Sequence, residues 1–378
     1  MRVCIIGSMP PYKNAGPATY VDGLSRELAK KIEVCIISPG PKNMEYIDKH
    51  NRKIYIIKEG RFWTLRAVIM AWKLRSKYDI LHVNHVLTAS AAHFIIKKPT
   101  VLTVHGYYVY ELASMGKVKN NTFSYKIRLN VEKKAMKKVD AIIAVDKRIY
   151  EWIINNLKVN KNKISHMPNA VDPTKFDPNI DAQNLKEKLN LLNYKILLFL
   201  KGLVPKNGPE ILIKSMYIIS KKRPNTKLLI IGNGPLKKKL QEMVKKMNLS
   251  NKILFLDTIP NDLTPFYYAI SDIVILPSVP ISDVEEATSI TMLEALCMEK
   301  PVIASNIGGL KEIIDNRKIG ILFRYGDYFD LAKKIIYVLD HPKYAKEMGK
   351  KAREYIIKNH TWEKNAEKVL KIYETLQP

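Results

Sequence analysis

The sequence predicts an α/β protein of two doubly wound domains, each a parallel sheet covered by helices on both faces. Three observations predict it. At 378 residues the chain is too long for one ordinary core. Short β-branched runs alternate with longer helical patterns, the signature of buried parallel strands. That alternation breaks once, where Pro168, Asn169, Asp172, Pro173, Asp177, Pro178 and Asn179 cluster, and then restarts.

In the first half, strands are expected at 3–7, 34–38, 53–57, 80–84, 100–104 and 141–145. A helical stripe runs over 19–30 through Tyr20, Leu24 and Leu28, and a second helical pattern covers 62–77. The apolar side of this second helix is expected to face the sheet, leaving its basic edge free. In the second half, strands are expected at 195–200, 227–231, 253–256, 273–276, 301–304 and 320–323. Helices are expected between them at 209–221, 235–249, 264–270 and 291–298, then at 328–339 and in a tail over 343–376. The expected domains are 1–170 and 171–359, with a C-terminal helix at 360–378 packing back on the first.

Composition narrows the classes. No apolar run reaches the ~18–20 residues needed to span a bilayer. The short apolar run Val3-Cys4-Ile5-Ile6 reads as a first strand, so the expected location is cytoplasmic. Cys4, Cys35 and Cys297 are far apart and no Cys/His cluster appears, so a structural zinc site is not expected. The formal net charge of +27 favours anionic partners. No helix-turn-helix, zinc-finger or RNA-binding signature accompanies it, so nucleic acid is not expected as a partner. The stretch 7–16 does not match GxGxxG, which argues against a dehydrogenase.

In open α/β sheets, ligands bind beyond the carboxyl ends of the strands. One such end is 276–294. Strand 273–276 leads into Pro277-Ser278, then a loop, then Glu286 and Glu294, seven residues apart across the start of a helix. Exposed N–H groups at a helix start suit a phosphate, and carboxylates accept hydrogen bonds from sugar hydroxyls. Spacing alone fits better a surface acid at Glu286 near a helix start and a solvated helix residue at Glu294.

The wider pattern is more specific. Leu276-Pro277-Ser278, Glu286…Glu294-Ala295, Pro301-Val302-Ile303-Ala304 and Gly308-Gly309…Glu312 follow one another in order. Ala15-Gly16, His105-Gly106, Pro168-Asn169-Ala170-Val171-Asp172, Ile231-Gly232-Asn233-Gly234-Pro235 and Thr361-Trp362 extend the match over essentially the whole chain. This set resembles family-4 retaining glycosyltransferases of the GT-B fold: two facing Rossmann-like domains with an interdomain cleft. The resemblance implies a hexosyltransferase acting on a nucleotide-diphosphate sugar, with no cofactor and no metal.

It also implies roles. Glu294 would hold the donor ribose, Glu286 would face the hexose, and amides near Ser289 and Ile290 would contact sugar or phosphate. Gly16 would bring the first loop close to the phosphate, and His105 would lie near the sugar. The family's arginine and lysine for the diphosphate fall here on Gly202 and Asn207, with Lys201 and Lys206 one residue earlier in each case. Lysine cannot copy a bidentate arginine contact, so either these lysines substitute, the donor differs, or activity is weak.

The implied acceptor is a glycan or a lipid-linked one. Basic stretches at 61–77 and 117–138, the first rich in aromatics, would suit peripheral contact with an anionic membrane. A non-catalytic nucleotide-sugar binder and a nucleotide-sugar epimerase are the competing readings.

Overall fold

A computed structural model of the chain describes residues 1–12, 16–114, 117–119, 121–281, 285–315 and 317–377. Ala15, part of the first-loop motif, lies outside them. The chain divides into two compact units, Met1–Ala170 with Trp362–Pro378, and Val171–Thr361. No helix among the described residues is long and apolar enough to cross a membrane.

The first unit holds β1 (Arg2–Ile6), β2 (Glu33–Gly40), β3 (Met44–Ile47), β4 (Lys53–Lys58), β5 (Ile80–Val83), β6 (Thr100–Val104), β7 (Ala141–Ala144) and β8 (Ile164–His166). They form one sheet in the order β3-β4-β2-β1-β5-β6-β7-β8, parallel except for the β3–β4 pair. The second unit holds β9 (Lys195–Leu200), β10 (Thr226–Ile231), β11 (Ile253–Leu256), β12 (Ile273–Leu276), β13 (Val302–Ser305) and β14 (Ile321–Phe323). Its order is β11-β10-β9-β12-β13-β14, all parallel. Each sheet thus reverses direction beside its first strand, between β1 and β5 and between β9 and β12. That is the Rossmann arrangement, and the reversal opens a crevice where ligands bind.

Apolar burial explains why these runs form strands. Residues of β1, β5, β7, β9, β12 and β13 are almost wholly buried, as a sheet covered on both faces requires. Aspartates fix the register at the amino ends. The Asp79, Asp140 and Asp272 carboxylates, each just before a strand, accept the backbone N–H of Arg2, Thr100 and Ile196 on the neighbouring strand. Cys4 and Cys35 are register partners on β1 and β2, and all three cysteines are free thiols.

Crossovers between parallel strands are right-handed. The step from β1 to β2 runs toward one edge of the first sheet; those from β4 through β5, β6 and β7 run toward the other. Helix Gly16–Ala29 therefore covers one face, and helices Trp63–Lys73, Val86–Ile95 and Phe123–Lys138 cover the opposite one. The last three lie side by side.

Two expectations are corrected. The tail is two helices, Pro342–Asn359 and Trp362–Thr375, because Thr361 bridges Val171 in strand fashion and the Val171 N–H donates to the His360 carbonyl. The helix Trp63–Lys73 does not turn its large apolar side chains to the sheet. It buries only Ala67, Val68 and Ala71, and exposes Phe62, Leu65, Ile69 and Trp72. Small residues let the helix sit close to the sheet, and that contact displaces the bulky ones outward.

The tail helix Trp362–Thr375 packs on Gly16–Ala29. It is tied by the Asn365 side-chain amide to the Pro168 carbonyl and by a buried polar chain. Tyr373 Oη lies 2.6 Å from His82 Nδ1, His82 Nε2 lies 2.7 Å from Thr103 Oγ1, and Thr103 meets Tyr20 Oη at 3.2 Å. A Cβ on Gly23 would overlap the Trp362 ring. Gly23→Ala is therefore expected to destabilise the protein by about 1–3 kcal/mol through overpacking. Thermal unfolding checks this: the midpoint should fall below that of wild type, and an unchanged midpoint would contradict the docking of the tail helix.

Candidate active site

A cluster of polar side chains sits at the reversal point of the second unit's sheet. Lys201 leaves the carboxyl end of β9, and Pro277-Ser278 leaves that of the adjacent β12. Lys201 Nζ donates to Glu286 Oε1 at 2.7 Å and lies 3.4 Å from Ser278 Oγ, which in turn reaches Glu286 Oε2 at 3.4 Å. The lysine and glutamate side chains are only 9% and 15% exposed, so the pair is largely withdrawn from water.

Glycines hold this geometry. Gly208 has φ +65° and lies against the Pro277 carbonyl, where any Cβ would overlap. Gly309 packs its Cα against the backbone of Ala287 and Thr288, and its N–H donates to the Glu286 carbonyl at 2.8 Å. The Gly308-Gly309 turn thus fixes the loop carrying Glu286. Helix Ile290–Cys297 begins just after it, with Ser289 as its N-cap. Its start offers the unpaired N–H donors that every helix leaves, and the Thr291 hydroxyl ties it to the end of β9 through the Leu200 carbonyl.

Glu294 lies on the same helix, buried. Tyr268 Oη donates to its Oε2 at 2.8 Å. Burial pushes the Glu294 carboxyl up to about 7, against the opposing pull of the Tyr268 hydrogen bond and the Lys175 charge.

The other expected residues fall in two groups. Asn207 is buried and donates its amide to the Gly202 carbonyl at 2.7 Å, closing the 202–207 loop; Lys206 is exposed. A Cβ at Gly202 would meet only the Asn233 carbonyl at 3.7 Å and Asn207 Nδ2 at 3.9 Å, which is ordinary contact. Gly16 starts its helix, and among the described residues nothing lies within 4 Å of a Cβ there, so their packing does not demand a glycine. His105 follows β6 in the first unit. The Asn84 amide nitrogen donates to the Ile6 carbonyl, which turns Asn84 Oδ1 toward His105 Nε2, 3.1 Å away. Nε2 is then the protonated nitrogen and Nδ1 an acceptor. Burial lowers the His105 imidazole to about 3, with the nearby His85 adding to the effect, so the ring is neutral at physiological pH. Tyr20 braces it edge-on at 4.8 Å. Among the described residues, no group of three or more His, Cys, Asp or Glu is placed to hold a metal ion.

Comparison with known proteins shows the family and the fold. The model of glycosyl transferases group 1 matches residues 181–355, and that of glycosyltransferase family 4 matches 15–175. The UDP-Gal:alpha-D-GlcNAc-diphosphoundecaprenol alpha-1,3-galactosyltransferase of Escherichia coli is 30% identical over 336 residues, covering 85% of this chain and 81% of that protein. The chain is a group 1 glycosyltransferase. This glycosyltransferase is also 25% identical over 309 residues to the N-acetyl-alpha-D-glucosaminyl L-malate synthase of Bacillus anthracis, covering 80% of this chain and 75% of that one. Its fold is that of GT-B enzymes. Sucrose-phosphate synthase of Thermosynechococcus elongatus superposes with a TM-score of 0.83 at 20% identity, over 99% of this chain and 98% of that one. Anabaena HepE in complex with UDP-glucose gives 0.81 at 17% identity, over the whole of both chains.

Proposed function

We propose that this glycosyltransferase takes a nucleotide-diphosphate sugar at the reversal point of its second sheet and transfers the hexose, with retention, to a glycan or lipid-linked acceptor. The observation that carries the reading is the Lys201–Glu286 pair, 2.7 Å long, beside the start of helix Ile290–Cys297. It sets a cation and a hydroxyl acceptor next to each other where a diphosphate and its hexose would meet.

In this reading the amides at Ser289 and Ile290 and the Lys201 ammonium neutralise the diphosphate. No metal is required, because fixed dipoles and a lysine already face the charge that develops. Lys206, exposed on the same loop, adds to the field. Gly202 leaves room for the phosphates, and Asn207 keeps the loop closed. Glu286 accepts hexose hydroxyls, and Glu294 accepts those of the ribose. His105, neutral and with Nδ1 as an acceptor, suits a sugar hydroxyl. In the transfer, the bond from the anomeric carbon to the phosphate oxygen breaks, and the acceptor oxygen bonds to that carbon from the same face. Its proton passes to the departing phosphate, and the protein contributes position and charge.

The E. coli galactosyltransferase, named for a UDP-sugar and a diphospholipid-linked acceptor, and the UDP-glucose complex of HepE support this donor and acceptor class. An acceptor of that kind would put the enzyme in the cytoplasm, at the inner face of the membrane.

A thermal-shift panel of UDP-, GDP- and ADP-sugars tests it, since a ligand that binds only the folded state raises the midpoint. One donor is expected to raise it, and Glu294→Ala to abolish the rise. No shift with any donor overturns the reading. Binding without transfer or hydrolysis would select a non-catalytic binder, and turnover of the donor alone would select an epimerase.

A further inference from the structure

The helices Trp63–Lys73, Val86–Ile95 and Phe123–Lys138 form one layer on one face of the first sheet. Their buried apolar side chains are mostly small, Tyr125 and Met136 excepted, and several of the large apolar ones on and beside them are exposed. Phe62 is 64% exposed, Phe94 76% and Phe123 81%, with Leu65, Ile69 and Trp72 also exposed. Cations lie over the rings: the Arg75 guanidinium 4.4 Å from the Trp72 centroid and the Lys138 ammonium 4.9 Å from that of Phe94. Stretches 61–77, 86–98 and 117–138 carry five, two and eight lysines and arginines, and their only acid is Glu132. Glu132 is buried, with its Oε2 reached by the Val109 N–H at 3.4 Å, so it does not offset the surface charge.

From this we infer that the three-helix layer is a docking surface for an anionic phospholipid bilayer. The inference deepens the acceptor reading above, but it is tested without any sugar. Three features choose the occupant. Rings and aliphatic side chains standing out among lysines and arginines match the headgroup–acyl boundary, where the apolar parts insert and the cations stay with the phosphates. Nucleic acid would gain from the cations and rings but not from Leu65 and Ile69. A second copy related by a twofold axis would set this basic face against itself.

Co-sedimentation with phosphatidylcholine vesicles, with and without phosphatidylglycerol, tests the proposal on the full chain. Binding is expected only with phosphatidylglycerol, and it should weaken as salt rises. The triple variant Phe62→Ser/Phe94→Ser/Phe123→Ser changes only side chains that are more than half exposed, so the fold should survive, as its unfolding midpoint will verify. Its partitioning should fall by about tenfold or more. Wild-type protein left in the supernatant overturns the proposal. So does undiminished partitioning of the folded triple variant, or tighter binding to an oligonucleotide than to the anionic vesicles. A twofold dimer in light scattering, dissolved by the triple variant without loss of vesicle binding, would also overturn it.

Discussion

Lys201→Met is expected to lower kcat/KM by about 10²–10³-fold, ~3–4 kcal/mol of transition-state stabilisation. The lysine stands one residue before the position where the family carries arginine, and that position is Gly202 here. Its ammonium meets Glu286 in a pair that is mostly buried. Methionine keeps most of the length of the side chain and removes the charge, which leaves Glu286 without this partner as well as the diphosphate without its cation. A second substitution separates the two losses. A side chain can be attached at Gly202, which is exposed and where a Cβ meets only ordinary contacts. In the Lys201→Met background, Gly202→Arg should restore about tenfold of the rate if a phosphate cation is what was lost. Steady-state kinetics with the donor identified by thermal shift, and the unfolding midpoint of each variant, are the measurements. Near-wild-type kcat/KM in Lys201→Met would remove this lysine from the mechanism.

Glu294→Gln is expected to weaken donor binding about ten- to thirtyfold while leaving the fold intact. Glutamine fills the same space and its carbonyl can still accept from Tyr268, but bonds from ribose hydroxyls lose their charge assistance. The carboxyl titrates at about 7 when folded, against an ordinary 4.5, because it is buried. Two opposite trends follow. The folded protein holds this proton more tightly than the unfolded chain does, so stability falls as pH rises from 4.5 through 7, by ~3 kcal/mol at most. Donor affinity rises over the upper part of that window, since the ionised form is the better acceptor. Calorimetric titration between about pH 6 and 8 should show wild type tightening with pH and the glutamine variant nearly flat there. A variant with the wild-type pH profile would assign the titration to another group.

Most strands were legible because they are compact apolar runs, the central ones buried on both faces. Two escaped. β3 is a mostly exposed edge strand, Met-Glu-Tyr-Ile, without an apolar face, and β8 is only three residues long. The separate C-terminal helix expected at 360–378 placed the tail break near His360–Thr361, but its cause was hidden: a bridge to Val171, 190 positions earlier, and not a local breaker. At the site, the order of motifs from Ser278 to Gly309 marked the right neighbourhood. Spacing could not show that Lys201 reaches Glu286 across 85 positions, or that Asn207 spends its amide on the Gly202 carbonyl. The first depends on β9 and β12 being neighbours, which is a property of the sheet order, and the second on how the 202–207 loop folds back on itself. The helix after β4 misled for a different reason. Its apolar residues surround it, and only packing decides that alanines face the sheet and aromatics face outward.

A crystal structure of the full chain with its nucleoside diphosphate would test the central claim most directly. The account predicts the terminal phosphate within hydrogen-bond reach of Lys201 Nζ and of the amides at Ser289 and Ile290, with the ribose hydroxyls on Glu294. A nucleotide bound elsewhere, or one bound there with Lys201 turned away from the phosphate and Glu294 still covered by Tyr268 alone, would contradict it.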